Sequence, residues 1–275
     1  MRRLTRTHPG TFGSRRDVPR DICEALDAYG SRLGMFASDV SWYPEIGSTN
    51  DVALLMAERG APDGTVVGAD LQTAGRGRQG RTWSSPAGSG LYVSMILRPP
   101  AVIAPLLTIA AGVSVAEGIR EATGLSMDLK WPNDVYAGGR KVAGILAESG
   151  LSDARLKHVV LGIGINVNQA NYPPEVATRA TSIERELGRP VDRGLVLASC
   201  LSALTVRYRQ LQKAPAAVLD AWRSYAASML KRRVECTVGL QSVTGVAEDI
   251  DERGALVVRV GDEIVRVISG EVVWR

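Results

Sequence analysis

Residues 75–82 read Gly75-Arg76-Gly77-Arg78-Gln79-Gly80-Arg81-Thr82, "GRGRQGRT", and match two phosphate-binding patterns in spelling. The first six satisfy the dinucleotide fingerprint G-x-G-x-x-G, and all eight satisfy the P-loop pattern G-x-x-x-x-G-K-[ST] except that Arg81 stands in place of lysine. Both patterns work by placing a helix N-terminus directly behind the glycines, beneath the phosphates. Here Gly80 is followed by "RTWSSPAGSGLYVSMIL", in which Pro86, Gly88 and Gly90 prevent a helix of useful length, and no acidic residue occurs before Glu117. "GTVVGADLQTAG" (64–75) enters as a strand and "GLYVSMILRP" (90–99) leaves as one. The segment therefore joins two strands, and both nucleotide-fold readings fail on context.

Outward from that loop, "VSWYPEIGSTN" (40–50) reads as a strand running into a loop, and "NDVALLMAERGAPDG" (50–64) as a helix ended by Gly60 and Pro62. Residues 103–124 form a buried helix stopped at Gly124. "MDLKWPNDVYAGGRKVAGILAES" (127–149) reads as strand, turn, short strand, hairpin at Gly138-Gly139 and a further strand. "LKHVVLGIGINVNQ" (156–169) is another strand, and helices follow at about 192–211 and 215–231. From Arg232 short Val-rich runs alternate with turn residues, a pattern of small antiparallel strands. The expected class is α+β, a mainly antiparallel or mixed sheet with packed helices, followed by a small β module. The domain reading is an extension over 1–40 with a poorly ordered start and one short helix (20–34), a main domain over 41–230, and the β module over 231–275.

The chain has 275 residues, 45% of them hydrophobic and 23% charged, which excludes fibrous and disordered classes. A net charge of +4 is too small to argue for nucleic acid. Cys23, Cys200 and Cys236 lie far apart and, with His8 and His158 the only histidines, form no metal-ligand spacing. They read as reduced and mostly buried thiols of a cytoplasmic protein. No apolar run approaches bilayer length, so no membrane partner is expected, and the basic N-terminus lacks the apolar stretch of a secretory signal.

Taken alone, the loop supports two readings: a solvated surface loop, or a flap whose backbone N–H groups and guanidinium forks close over an anion. Three more segments decide between them: "GSTN" (47–50), "KWPNDVYAGGRKVAGIL" (130–146) and "GIGINVN" (162–168). With "QTAGRGRQGRTW" (72–83), in this order and at these separations, they resemble the catalytic domain of biotin protein ligases. The β module ending in "SGEVVWR" resembles that family's C-terminal SH3-like barrel.

The resemblance implies an ATP-dependent ligase that activates biotin as biotinyl-5'-AMP, releases pyrophosphate, and transfers biotin to one lysine of a biotin carboxyl carrier domain of acetyl-CoA carboxylase or a related carboxylase. ATP and Mg2+ serve as co-substrate and ion, and no tightly bound prosthetic group is expected. By motif position, Lys141 lies between carboxylate and α-phosphate, with Arg76, Gly77 and Arg78 as loop contacts to biotin and the adenylate. Ser48, Thr49, Asn50 and Gln72 hydrogen-bond the ureido head, while Trp83, Gly144, Gly162 and Gly164 form walls. Arg81, Asn133 and Asn166 fall on the nucleotide side, and Asp134 is a candidate for Mg2+ ligation or for orienting the acceptor lysine. Residues 75–83 are expected to order when biotin binds.

Some members of the family carry an N-terminal winged helix-turn-helix and repress transcription. With about 40 residues before "GSTN", one expected helix and several helix breakers, DNA binding is not expected here. The related lipoate ligases are the nearer alternative. The octanoyl-transfer branch uses a cysteine nucleophile, and none of the three cysteines falls in a matching motif. A monomer or weak homodimer is the expected state.

Overall fold

The computed structural model describes residues 18–152, 155–170, 174–238, 241–270 and 272–274. The expected disordered start of the chain lies outside these residues. Helix α1 (Arg20–Tyr29) and a 3-10 turn (Gly30–Ala37) lead into β1 (Val40–Tyr43). Then come α2 (Thr49–Glu58), β2 (Val66–Ala69), β3 (Gly90–Leu97) and α3 (Leu107–Thr123). Strands β4 (Asp128–Lys130), β5 (Asp134–Ala137), β6 (Arg140–Ser152) and β7 (Arg155–Asn166) follow. Short helices α4 (Pro174–Ala177) and α5 (Ile183–Leu187) precede the long α6 (Arg193–Lys213) and α7 (Pro215–Tyr225). The chain ends in β8 (Arg233–Val238), β9 (Gln241–Ile250), β10 (Leu256–Val260), β11 (Glu263–Val267) and β12 (Val272–Trp274).

The first seven strands form one sheet in the order β1-β2-β3-β7-β6-β5-β4. β1 and β2 run parallel across the α2 crossover, and every other pair is antiparallel. The 75–82 stretch joins β2 to β3, which are antiparallel neighbours, as the helix-breaking residues after Gly80 require. Gly138 (φ 55°) and Gly139 (φ 76°) make the two-residue turn between β5 and β6, a left-handed pair that L side chains disfavour and glycine permits. Gly124 (φ 79°) caps α3, as its position in the sequence suggests.

Strand alternation sorts the side chains. Along β7, Val159, Leu161, Ile163 and Ile165 enter the main core with α3 and α6, as does Val167 just past the strand, while Val160, Gly162 and Gly164 face the opposite side. On β3 the same division puts Leu91, Val93 and Met95 in the core and Ser94 and Ile96 opposite. α2 packs over that second side through Val52, Ala53 and Ala57.

α6 lacks a clean amphipathic stripe because it is enclosed from two directions, by α3 and by α1. The N-terminal segment thus docks on the main domain. Arg193 holds Asp21 (Nε–Oδ2 2.6 Å) and Asp70 (Nη1–Oδ1 3.0 Å), Tyr29 OH meets Ser199 Oγ at 2.6 Å, and Arg32 donates to Glu121 at 2.6 Å.

α7 ends at Tyr225, earlier than the expected 231. Beyond it Lys231 takes a left-handed φ of 68° and donates its N–H to Ala247 O, turning the chain into the second sheet, of order β11-β10-β9-β8-β12. That sheet is tied to the first unit by Trp131 Nε1 donating to Gly254 O (2.8 Å) and by Arg223 on Asp249 and Ile250 O.

α3 and α6 meet main chain to main chain at Gly118, where an added Cβ would sit 2.5 Å from both N and Cα of Cys200. Gly118→Ala therefore forces the helices apart. The expected loss is about 1–3 kcal/mol of unfolding free energy, the usual cost of overpacking, read as a lower midpoint in denaturant titration.

Candidate active site

The second face of the sheet carries a row of small residues that register makes continuous. Tyr92 of β3 pairs with Gly164 of β7, Gly164 with Gly144 of β6, Gly144 with Asp134 of β5, and Asp134 with Lys130 of β4. One rung away, Ser94 pairs with Gly162 and Gly162 with Leu146. Paired residues point to the same side, so three glycines lie together beneath α2 and the 70–89 loop.

Side chains from the roof occupy the space that the glycines leave. Trp83 lies across two of them: a Cβ at Gly164 would sit 2.5 Å from its Nε1, and one at Gly144 would sit 2.9 Å from its Cζ3. A Cβ at Gly162 would overlap Asn50 Oδ1. The "GSTN" residues open α2: Ser48, Thr49 and Asn50 are all buried. Thr49 donates to Gln72 Oε1 from its N–H (2.8 Å) and its hydroxyl (3.1 Å), and Gln72 Nε2 donates to Ser85 Oγ (2.8 Å). Ser94 Oγ lies within reach of Thr49 Oγ1 (2.7 Å) and Asn50 Oδ1 (2.6 Å). The Ser48 hydroxyl makes no hydrogen bond among the described residues, which leaves it available to a ligand.

The glycine-arginine loop folds down on this face. Arg76 and Thr82 form a bridge, Gly77 N–H donates to Arg81 O (2.7 Å) and Trp83 N–H to Gly75 O (2.9 Å). Arg76 pairs with Asp51 and reaches Glu148 through Nη2 (2.9 and 3.1 Å), while Glu148 also accepts from Asn50 Nδ2 (2.5 Å). Burial opposes the Arg76 charge, but its hydrogen bonds to Asp51 and Glu148 prevail, and its pKa lies above the ordinary arginine value. Arg78 is pushed the other way, chiefly by burial, with Asp134 opposing and Arg81 adding to the shift. Arg81 is exposed and donates to Gln79, apart from the glycine row.

Lys141 reaches this face through a β-bulge. Tyr136 pairs with Lys141 and Val135 with Ala143, so Val142 is the extra residue and is buried in the core together with Ala143. Plain alternation back from Gly144 would turn Lys141 into the core. The bulge instead places Nζ 2.6 Å from Asp134 Oδ1 and 5.3 Å from the Trp83 ring centre. Lys141 main chain also exchanges hydrogen bonds with Arg179 O and Thr181 N–H, which anchors its strand end.

The two expected nucleotide-side amides are partly committed within the fold: Asn133 Nδ2 donates to Ile145 O (2.8 Å) and Asn166 Nδ2 to Thr181 O (3.0 Å). Sequence reasoning missed Asp51, Ser85, Ser94 and Glu148. Glu148 had a signal, since it continues the 144, 146, 148 alternation along β6.

Asp134 Oδ1 is buried without a hydrogen bond, pairs with Lys141 Nζ and also interacts electrostatically with Arg78 and Lys130, and no group of three or more His, Cys, Asp or Glu gathers among the described residues. That donor set fits Mg2+ where substrate phosphates supply the remaining oxygens, and does not make an all-protein cage.

This face gathers a glycine floor, an aromatic wall, amides and hydroxyls, and arginine and lysine side chains around one space. Comparison with known proteins shows the family. Residues 42–166 match the Biotin/lipoate A/B protein ligase family and residues 231–275 the biotin protein ligase C-terminal domain. The bifunctional ligase/repressor of Bacillus subtilis is 36% identical over 92% of this chain and 79% of its own length. The biotin--[acetyl-CoA-carboxylase] ligase of Mycobacterium tuberculosis is 39% identical over 83% of this chain and 86% of its own. The biotin protein ligase of Aquifex aeolicus, solved with biotin and ATP, superposes with a TM-score of 0.74 at 33% identity, covering 86% of this chain and 99% of that one. The chain belongs to the biotin protein ligase family.

Glu148 ties Arg76 of the loop to Asn50 of α2, so Glu148→Gln keeps an acceptor for Asn50 and removes one of the two carboxylate charges that hold Arg76. The loop then opens more often. Trypsin cleavage after Arg76, Arg78 and Arg81 is expected to rise on the order of tenfold, as for a loss of about 1.4 kcal/mol; unchanged cleavage would place the loop's hold elsewhere.

Proposed function

We propose that this chain activates biotin with ATP as biotinyl-5'-AMP, releasing pyrophosphate, and passes the biotinyl group to a lysine of a biotin carboxyl carrier domain in acetyl-CoA carboxylase or a related carboxylase. The observation that carries the reading is the single face on which Ser48, Thr49, Asn50 and Gln72 meet Trp83, Arg76, Arg78 and Lys141 above Gly144, Gly162 and Gly164. The names of the mycobacterial relative and of a Paracoccus denitrificans relative support the acceptor.

Two anions must meet for the first step, and cations fixed in advance lower its barrier most. Lys141 stands where the biotin carboxylate and the α-phosphate come together. Arg76, Gly77 and Arg78 face the adenylate from the loop, with Arg81, Asn133 and Asn166 toward the nucleotide. The ureido head lies among Ser48, Thr49, Asn50 and Gln72, a small polar group that demands paired partners. Mg2+, when bound, neutralises phosphate charge, and Asp134 would hold it with the phosphate oxygens or else orient the acceptor amine. The folded loop with Trp83 keeps water from an acyl-adenylate that hydrolyses readily.

Residues 41–230 form the catalytic domain in this reading, 231–275 the C-terminal domain and 1–40 an extension. The enzyme works in the cytoplasm as a monomer or weak homodimer, without nucleic acid; three free cysteines suit a reducing compartment. Among the described residues no helix is long and apolar enough to cross a membrane. Acyl transfer through a thiol is disfavoured because Cys200 is buried in α6 with its pKa pushed up to about 12 by burial, Cys236 is buried in the second sheet, and Cys23 lies on α1.

Pyrophosphate–ATP exchange is expected with biotin and not with lipoate; exchange that needs lipoate would overturn the substrate. Lys141→Ala is expected to slow adenylate formation about 100-fold, the usual effect of removing one preorganised donor. Near-normal single-turnover rates would move the carboxylate–phosphate contact to another cation.

A further inference from the structure

Lys130 is the outermost member of the glycine rung. It pairs with Asp134, which pairs with Gly144, so it stands two strand spacings, roughly 10 Å, from the floor of the site on β4, the edge strand of the sheet. The side chain is half-buried. Its ammonium lies 5.3 Å from the Tyr136 ring centre, and among the described residues no hydrogen-bond acceptor or carboxylate pairs with it. An ammonium carries three N–H donors, and a ring face satisfies none of them fully.

The surroundings are cationic. Burial pulls the Lys130 pKa below the ordinary lysine value; Asp134 opposes the shift, and Lys141, Arg232 and Arg179 add to it. Asp134, the acid in this group, is already paired with Lys141. A half-buried ammonium with spare donors, backed by further cations and standing on the same rung as Asp134 and Gly144, suits a dense anion.

We propose that Lys130 binds the pyrophosphate end of ATP and holds the leaving group during adenylation, an inference that rests on the adenylating reading above. In that step the biotin carboxylate oxygen bonds to the α-phosphorus, and the bond from that phosphorus to the α,β-bridging oxygen breaks. The electron pair leaves on pyrophosphate and no proton moves. The new charge develops toward Lys130.

The test uses the full chain and inorganic pyrophosphate. In biotin-dependent exchange, Lys130→Met is expected to raise the KM for pyrophosphate at least tenfold, and Lys130→Arg to restore most of it. Transfer from supplied biotinyl-5'-AMP to a carrier domain, which involves no pyrophosphate, is expected to stay within twofold of wild type. An unchanged KM, or an equal fall in exchange and transfer, overturns the proposal. On the wild-type protein, pyrophosphate should protect Lys130 from an amine-reactive label severalfold more than equimolar sulfate does; no protection overturns it independently of any variant's folding. Wild-type protein without biotin-dependent exchange would instead sink the adenylating reading itself.

Discussion

The contact on which the site depends is the Trp83 indole resting against main chain at Gly144 and Gly164. It requires two glycines opposite each other on neighbouring strands, and therefore a fixed register of β6 against β7. A slip of one residue would turn the core side chains Ile145 and Ile163 onto the ligand face and the glycines into the core. Register is held from both sides: by the two-glycine turn that sets β5 against β6, and by the long antiparallel ladder of β6 and β7. The glycines therefore serve the ligand face at the expense of strand propensity, and the buried Val, Leu and Ile of the alternate positions supply the cohesion.

The chemistry is then divided along the face. At the β3 and α2 end, neutral groups already satisfy one another through Thr49, Gln72, Ser85 and Ser94, a network that holds each donor and acceptor in place. At the β5 and β4 end the groups are charged. Arg76 stands apart from the other cations, since Asp51 and Glu148 already balance it and tie the loop to α2 and β6. A loop rich in glycine and arginine would lose much entropy on ordering. Anchoring it by Arg76 and Trp83 offsets part of that cost.

Much of this was legible in the sequence. The failure of "GRGRQGRT" as a nucleotide cradle followed from Pro86, Gly88 and Gly90, and the structure places a strand where they forbid a helix. Strands β6 and β7 fall where "KVAGILAES" and "LKHVVLGIGINVNQ" were read as strands, and the family resemblance named Gly144, Gly162 and Gly164 as walls. What could not be read were features set by tertiary pairing. Helix α7 stops early because Lys231 must join Ala247 in another sheet, which no local propensity encodes. Alternation placed Glu148 on the glycine face, but its role was not legible, because a carboxylate on a strand is ordinarily a solvated residue and its partners Arg76 and Asn50 are 72 and 98 positions away.

Lys141 shows most clearly how far pattern reasoning reaches. Its motif marks it as a functional lysine, yet strict alternation from Gly144 assigns its side chain to the core, where an unpaired ammonium would be costly. The conflict is resolved by one extra residue, Val142, which buries itself beside Ala143 and turns Lys141 to the opposite side. A bulge is the least disruptive way to do this, because it shifts one position and leaves the ladder beyond it intact. The same residue fixes the order of groups across the sheet: amides and hydroxyls first, then Trp83, then Lys141 with Asp134, then Lys130 at the edge. On the proposed reading, that order runs from the neutral end of an acid, through its carboxylate, to the phosphates that leave, so the sheet would lay out the reaction in space.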